Sequence, residues 1–98
     1  MLSEDSIPLR GKAVAFRILG EETVIVNIDT GFYYTLNEVG TRIWQLLERG
    51  RSIKEIVRIV LEEYAVDEDK ARKDVLEFIN DLYKEGLVEI YKDPDQAS

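Results

Sequence analysis

The sequence contains neither cysteine nor histidine among its 98 residues. Without cysteine no disulfide can form, and without either residue type no zinc or iron–sulfur site of the usual kind can be built. The Ser-His-Asp and Cys-His arrangements of nucleophilic catalysis are also excluded, because their general base is absent. Only carboxylate chemistry is left for a metal ion. We therefore expect a protein that needs no metal and no other cofactor.

Long apolar runs and an excess of positive charge are lacking as well. No segment approaches the roughly 20 consecutive apolar residues that a membrane-spanning helix needs. The first residues, MLSEDSIPLRGK, lack the basic and apolar regions of a signal peptide, so we expect a cytoplasmic protein with no membrane partner. The net charge is −7, from 13 Lys+Arg and 20 Asp+Glu. Because Lys and Arg supply most of the affinity for a phosphate backbone, this composition argues against a nucleic-acid partner.

The first third of the chain has the pattern of short β-strands. The strand candidates are residues 14–19, 23–28 and 32–36, and the turns between them contain Gly20 and Gly31. Such short connections predict an antiparallel meander. Alternation along the second strand places these β-branched residues on one face: Val24, Val26 and Ile28.

The third strand candidate is unusually aromatic. Alternation places Phe32, Tyr34 and Leu36 on one face and Tyr33 and Thr35 on the other. Large aromatic side chains most often fill a core, so we expect Phe32 and Tyr34 to pack inside.

The rest of the chain has the period of three amphipathic helices. Their predicted N-caps are Asn37, Ser52 and Asp67, and Glu55 completes a capping box with Ser52. Trp44 is expected in the core. The apolar stripes are Val39, Ile43, Leu46 and Leu47; then Ile53, Ile56, Val57, Val60 and Tyr64; then Ala71, Val75, Phe78, Ile79 and Leu82.

These patterns predict one α+β domain over residues 1–98, with its core at about 7–90. A three-stranded antiparallel sheet at the N-terminal end is followed by three helices, an arrangement of winged helix-turn-helix type. A short final strand is expected over residues 87–91, and residues 93–98 have the composition of a flexible tail.

No group of residues in the sequence has the composition and spacing of an active site. Acidic residues at 67–69 fit helix caps better than a calcium loop, because the glycine and glutamate of such a loop are absent. On the third helix, Asp74, Glu77 and Asp81 form either a solvated face or a contact with a partner. No glycine-rich phosphate loop occurs. We therefore interpret the chain as a binding module that is not an enzyme.

The strand at 32–36 is the candidate binding element. If it lies at the edge of the sheet, its unpaired backbone groups can receive another strand. Pairing with a second copy, which gives a homodimer, is one alternative. A DNA-binding winged helix is another, although residues 67–85 hold four basic and seven acidic residues, a net charge of −3 that phosphate would repel.

The junction of strands and helices carries a family resemblance. The run from Tyr34 to Trp44, YTLNEVGTRIW, resembles the Y-x-L-N-x-x-G-x-x-I-W signature of the PqqD-like family. Arg51 to Val57 is similar to the start of that family's second helix. Asp74 to Leu82, followed by Gly86-Leu87-Val88, resembles its third helix and exit. The resemblance extends from about residue 7 to residue 90.

The resemblance implies a peptide-binding adaptor. PqqD-like proteins recognise the leader of a ribosomally made precursor peptide and present it to a modifying enzyme, in pyrroloquinoline quinone, lasso-peptide or related pathways. That enzyme would be a radical SAM enzyme, a cyclase or a protease. The leader would add as a strand beside residues 32–36, against the helix at 67–85.

Carried onto this sequence, the resemblance implies two sets of residues. The motif residues Leu36, Asn37, Gly40, Ile43 and Trp44 would build the scaffold. The candidate peptide-binding residues are Phe32, Tyr33, Tyr34, Thr35, Asp74, Glu77, Phe78 and Asp81.

Overall fold

The computed structural model describes residues 3–92. Within this range the chain forms five strands and three helices. Their bounds are β1 Ser6–Arg10, β2 Val14–Leu19, β3 Glu22–Asn27, β4 Tyr33–Leu36, α1 Glu38–Glu48, α2 Ile53–Glu63, α3 Glu68–Lys84 and β5 Val88–Lys92. None of these helices is long and apolar enough to cross a membrane. The expected tail at 93–98 lies outside the described residues.

The strands form two antiparallel sheets. One has the order β2-β3-β4, so the predicted meander and the α+β class are confirmed. The other is a two-stranded sheet in which β1 pairs with β5, from Ser6 opposite Lys92 to Arg10 opposite Val88. The final strand was expected, but β1 was not, since its partner within residues 3–92 is the strand furthest from it in sequence.

The helices begin where the capping pattern predicts. Asn37 accepts a hydrogen bond from the Gly40 N–H at 2.9 Å, and Asp67 accepts one from the Lys70 N–H. Ser52 and Glu55 form the complete capping box. Each cap satisfies backbone donors that a helix N-terminus leaves free. The first residue of each of the three helices is therefore determined by residues close to it in sequence.

Trp44 joins the sheet to the helices. It is fully buried, as predicted, and the Phe16 ring on β2 meets it edge-on with 5.5 Å between ring centroids. Around it lies a cluster shared by the sheet, α1 and the end of α3: Val14, Ile25, Leu36, Leu47, Leu82, Leu87 and Val88. A second cluster, formed mainly by α2 and α3, lies beyond Ile43 and Leu46. The side of α3 that carries Val75 and Ile79 is thereby held against α2.

The residues of β3 that face the core do not include its two valines. Thr23, Ile25 and Asn27 are its buried residues, whereas Ile28 lies beyond the strand and is 64% exposed. The two polar members are buried because they are hydrogen-bonded. The Thr23 hydroxyl lies 2.7 Å from that of Thr41 on α1, and the Asn27 side chain accepts from the backbone of the following turn.

Two further core assignments are wrong. Phe32 is 63% exposed, because it lies between the turn at Gly31, where φ is 77°, and the start of β4. Val39 belongs to the first turn of α1 and is 37% exposed. Its side chain lines the cavity described below, which no other helix or strand of the described residues fills.

Candidate functional site

The free edge of β4 offers backbone groups to a further strand. The Asn27 N–H bonds to the Phe32 carbonyl at 3.0 Å, and the register then makes Ile25 and Tyr34 the next hydrogen-bonded pair of an antiparallel ladder. The N–H and C=O groups of Tyr33 and Thr35 therefore point away from β3. No other strand within residues 3–92 pairs with this side of β4.

A cavity of about 450 Å³ opens beside the Thr35 end of this edge. Its walls come from β4, α1, α3, the end of α2 and the segment after it. The lining is mostly apolar and comprises Thr35, Leu36, Asn37, Val39, Gly40, Ile43, Val60, Tyr64, Val66, Ala71, Asp74, Val75 and Phe78. We call this cavity, together with the free edge of β4, the β4–α3 groove.

Gly40 on α1 leaves room for the Phe78 ring of α3, which lines the groove. A Cβ atom at this position would lie 3.2 Å from Leu36 Cβ and 3.2 Å from the Phe78 ring. Both distances are shorter than ordinary carbon–carbon contact, so any larger residue has to displace the ring. The absence of a side chain at Gly40 therefore places Phe78 where it can line the groove.

One charged side chain, that of Asp74, appears in the lining of this cavity. Its Oδ2 accepts a hydrogen bond from Lys70 Nζ at 2.9 Å, and this bond raises the pKa of Lys70. Tyr64, at the other side, is half-buried, and burial raises the pKa of its hydroxyl. The site thus consists of an apolar pocket with an ion pair at its rim, which suits an apolar side chain better than a charged one.

An ion pair also supports the wall formed by the end of α2. Arg42 on α1 donates from Nε and one Nη to the two carboxylate oxygens of Glu63, at 2.8 and 2.7 Å. The hydrogen bond from Arg42 lowers the pKa of Glu63. This two-point contact lies next to Tyr64 and holds the α2 terminus near α1.

The candidate residues from the sequence fall into three places. Thr35, Asp74 and Phe78 meet around the cavity. Tyr34 is half-buried on the helix-facing side of β4, and its hydroxyl donates to Glu85 Oε2 at 2.8 Å. The structure does not bring the remaining candidates to the cavity, and all are exposed: Phe32, the Tyr33 side chain, Glu77 and Asp81.

Sequence reasoning missed part of the apolar lining. Val39 was assigned to the core, Val60 and Tyr64 were read only as an internal stripe, and Val66 was not considered. Val66 carried a usable signal, since it is a lone large apolar residue in an otherwise polar or small connection ahead of a helix cap. The cavity itself had no such signal because it depends on how four segments meet.

Fold and site together define a small α+β domain of winged-helix type with an unpaired strand beside an apolar cavity. Residues 22–88 match the family described as Coenzyme PQQ synthesis protein D (PqqD). The chain belongs to the PqqD family, as its motifs indicated.

Two solved structures are similar to this chain. TbiB1, determined in complex with the TbiA(β) leader peptide, is 36% identical and matches with a TM-score of 0.81 over 87% of this chain and 99% of its own. A lasso peptide synthetase B1 complexed with the leader peptide is 20% identical, with a TM-score of 0.78 over 85% of this chain and 98% of its own. The second likeness shows a shared fold. A comparison with curated proteins finds no match.

Proposed function

We propose that this protein binds the leader segment of a ribosomally made precursor peptide as an added strand on β4 and presents it to a separate modifying enzyme. One observation carries the proposal: the outward backbone groups of Tyr33 and Thr35 lie beside an apolar cavity. Backbone pairing holds any extended peptide, and the cavity selects one side chain. The 36% identity to TbiB1, whose structure contains a leader peptide, supports the same assignment.

The pairing geometry determines which leader residues face the cavity. Residues opposite each other in a sheet share a face, so the leader residues beside Tyr34 and Leu36 point toward α3. Only Leu36 of these two lines the cavity. The residue beside Leu36 is therefore the apolar anchor, while the residue beside Thr35 points to the outer face of the sheet.

The charge distribution opposes the DNA-binding alternative. The most polar helix, α3, lies in a segment with a net charge of −3 between residues 67 and 85. Its Arg72 is already engaged with Glu4 at 2.7 Å, and its Lys70 with Asp74. A duplex approaching α3 would meet an excess of acidic groups, and two of the four cations of the helix are already paired within the protein.

In this function the protein acts by binding, without a catalytic step of its own. We place it in the cytoplasm, where the precursor is translated. The modifying enzyme, of radical SAM, cyclase or protease type, would act on the core region of the precursor while the leader is held on β4.

A binding titration with the TbiA(β) leader peptide tests the proposal. We expect amide shifts at residues 30–40 and in the first half of α3. Val39→Asp should weaken binding at least about tenfold, because it places a carboxylate in the apolar cavity. Ile28→Asp is the matched control, since Ile28 is exposed and lies outside the cavity lining.

Four results would contradict the proposal. Shifts confined to residues outside 30–40 and α3 would place the site elsewhere. Equal effects of Val39→Asp and Ile28→Asp would remove the cavity from the interaction. Tight, salt-sensitive binding of duplex DNA would favour the winged-helix alternative, and concentration-dependent sedimentation would favour self-pairing of β4.

A further inference from the structure

The C-terminal end of α3 is attached to the sheet by two hydrogen bonds. Tyr34 Oη on β4 donates to Glu85 Oε2 at 2.8 Å, and Asn27 Nδ2 on β3 donates to the Glu85 carbonyl at 3.3 Å. Both bonds converge on the residue that caps α3. Two adjacent strands are thereby tied to one point of the helix.

The surroundings of Glu85 make this point rigid. Gly86 follows with φ of 74°, and the Leu87 N–H returns to the Leu82 carbonyl at 2.9 Å, which fixes the helix exit. Asn27 is buried, and its Oδ1 accepts from the backbone N–H groups of Asp29 and Thr30. The amide that holds the Glu85 carbonyl therefore has little freedom of its own.

The other half of α3 has a different relation to β4. Ala71, Asp74, Val75 and Phe78 face it across the cavity, and Tyr34 and Glu85 are not part of that lining. The cavity beside β4 therefore begins at Thr35, and the bond between Tyr34 and Glu85 lies one residue before it along the strand.

We infer that Tyr34 and Glu85 are positioning residues for leader binding: their hydrogen bond closes one end of the β4–α3 groove and sets the separation of strand and helix before the leader arrives. This inference rests on the proposed function. A binding site held in its bound shape loses less free energy on association than one that must be ordered by the ligand. The role requires a hydrogen-bond acceptor at residue 85 but no negative charge.

Three substitutions separate this role from direct contact. Tyr34→Phe keeps the ring and removes the donor, Glu85→Ala removes the acceptor, and Glu85→Gln keeps an acceptor without charge. We expect the first two to weaken binding of the TbiA(β) leader peptide about threefold to tenfold, as for loss of one hydrogen bond. Glu85→Gln should stay within about twofold of the wild type. The double variant Tyr34→Phe/Glu85→Ala should lose no more than either single variant.

The same variants can also be tested in the absence of any peptide, by amide exchange. Amide exchange at residues 82–87 should become faster in Tyr34→Phe and Glu85→Ala and should be unchanged in Glu85→Gln. Unchanged exchange in all three would show that the bond does not hold the helix end and would overturn the inference. Equal loss of leader affinity in Glu85→Gln and Glu85→Ala would also overturn it, because the charge would then act on the leader itself.

A failure of the proposed function gives a different result from a failure of this inference alone. If the wild-type protein does not bind the leader peptide, while exchange at residues 82–87 still responds to Tyr34→Phe, the two residues position α3 but serve some other ligand. The inference for leader binding is then wrong together with the function.

Discussion

The two ends of α3 differ in how they meet the sheet. At the C-terminal end Leu82 packs into the cluster around Trp44, and Glu85 is bonded to Tyr34 and Asn27. At the N-terminal end Asp74 and its neighbours face β4 across an apolar cavity. One helix thus serves as a structural support over one half and as a wall of the cavity over the other. This contrast supports the proposed function, in which the cavity receives a side chain of the leader.

The sharpest test of this contrast compares a residue of the closed cluster with a residue that lines the cavity. Leu82→Ala should lower the free energy of unfolding by about 2–5 kcal/mol, since Leu82 is 5% exposed in a closed cluster. Val66→Ala, at the open end and 40% exposed, should lower it by less than about 1 kcal/mol. Urea unfolding of both variants gives the comparison. Equal losses would show that the cavity wall is packed as tightly as the core.

A side chain added at residue 40 should strain the packing at the open end of the groove. Gly40→Val places carbon atoms within 3.2 Å of Phe78 and Leu36, so we expect a loss of about 1–3 kcal/mol in stability together with loss of leader binding. The control is Gly40→Val combined with Phe78→Ala, which removes the ring that clashes. If Gly40→Val alone is as stable as the wild type, the close contact of the Phe78 ring with residue 40 is not required.

The edge of β4 can be blocked by a substitution that leaves the apolar side chains of the cavity in place. Thr35→Pro removes one outward N–H donor, and proline is tolerated on an edge strand. We expect leader affinity to fall about threefold to tenfold, as for loss of one hydrogen bond. Thr35→Val keeps the N–H and the β-branched shape and should bind as the wild type does. Equal binding by the two variants would exclude pairing at Thr35.

The smallest expected effect is a loss of folding stability at acidic pH. Arg42 lowers the pKa of Glu63 in the folded state below its ordinary value of 4.5, so this pair stabilises the fold fully above that pH. The contribution is lost as pH falls through the folded-state pKa. Both side chains are partly exposed, so it should stay below about 1 kcal/mol.

Thermal melts between pH 7 and pH 3 check this expectation. Glu63→Gln should lower the melting temperature at neutral pH and should show less further loss below about pH 4.5 than the wild type. The control is Glu62→Gln at the neighbouring position, which is outside this ion pair. An identical acid response in Glu63→Gln and the wild type would show that the pair does not support the α2 end.

Local chemistry explains what could be predicted from the sequence. The caps at Asn37, Ser52 and Asp67 each depend on residues within three positions, and all three helices begin there. The meander likewise follows from short turns between alternating strands. Trp44 was correctly placed in the core because its size makes burial strongly favourable.

Contacts between distant segments explain what could not be predicted. Strand β1 is recognisable only through its pairing with β5 at the opposite end of the described chain. Phe32 and Val39 have core-like chemistry, but the helices do not cover them. The bond between Tyr34 and Glu85 joins residues 51 positions apart, and neither residue indicates the other. The candidate site was therefore predicted as a strand and a helix, while its cavity and its closed end were not.

The measurement that tests the central claim most directly is amide exchange along β4 with and without the TbiA(β) leader peptide. We predict that the N–H groups of Tyr33 and Thr35 become protected on binding, because they face the free edge. The Tyr34 N–H, which is already paired with β3, serves as the internal reference and should change little. Binding of the leader with unchanged exchange at both Tyr33 and Thr35 would contradict the account.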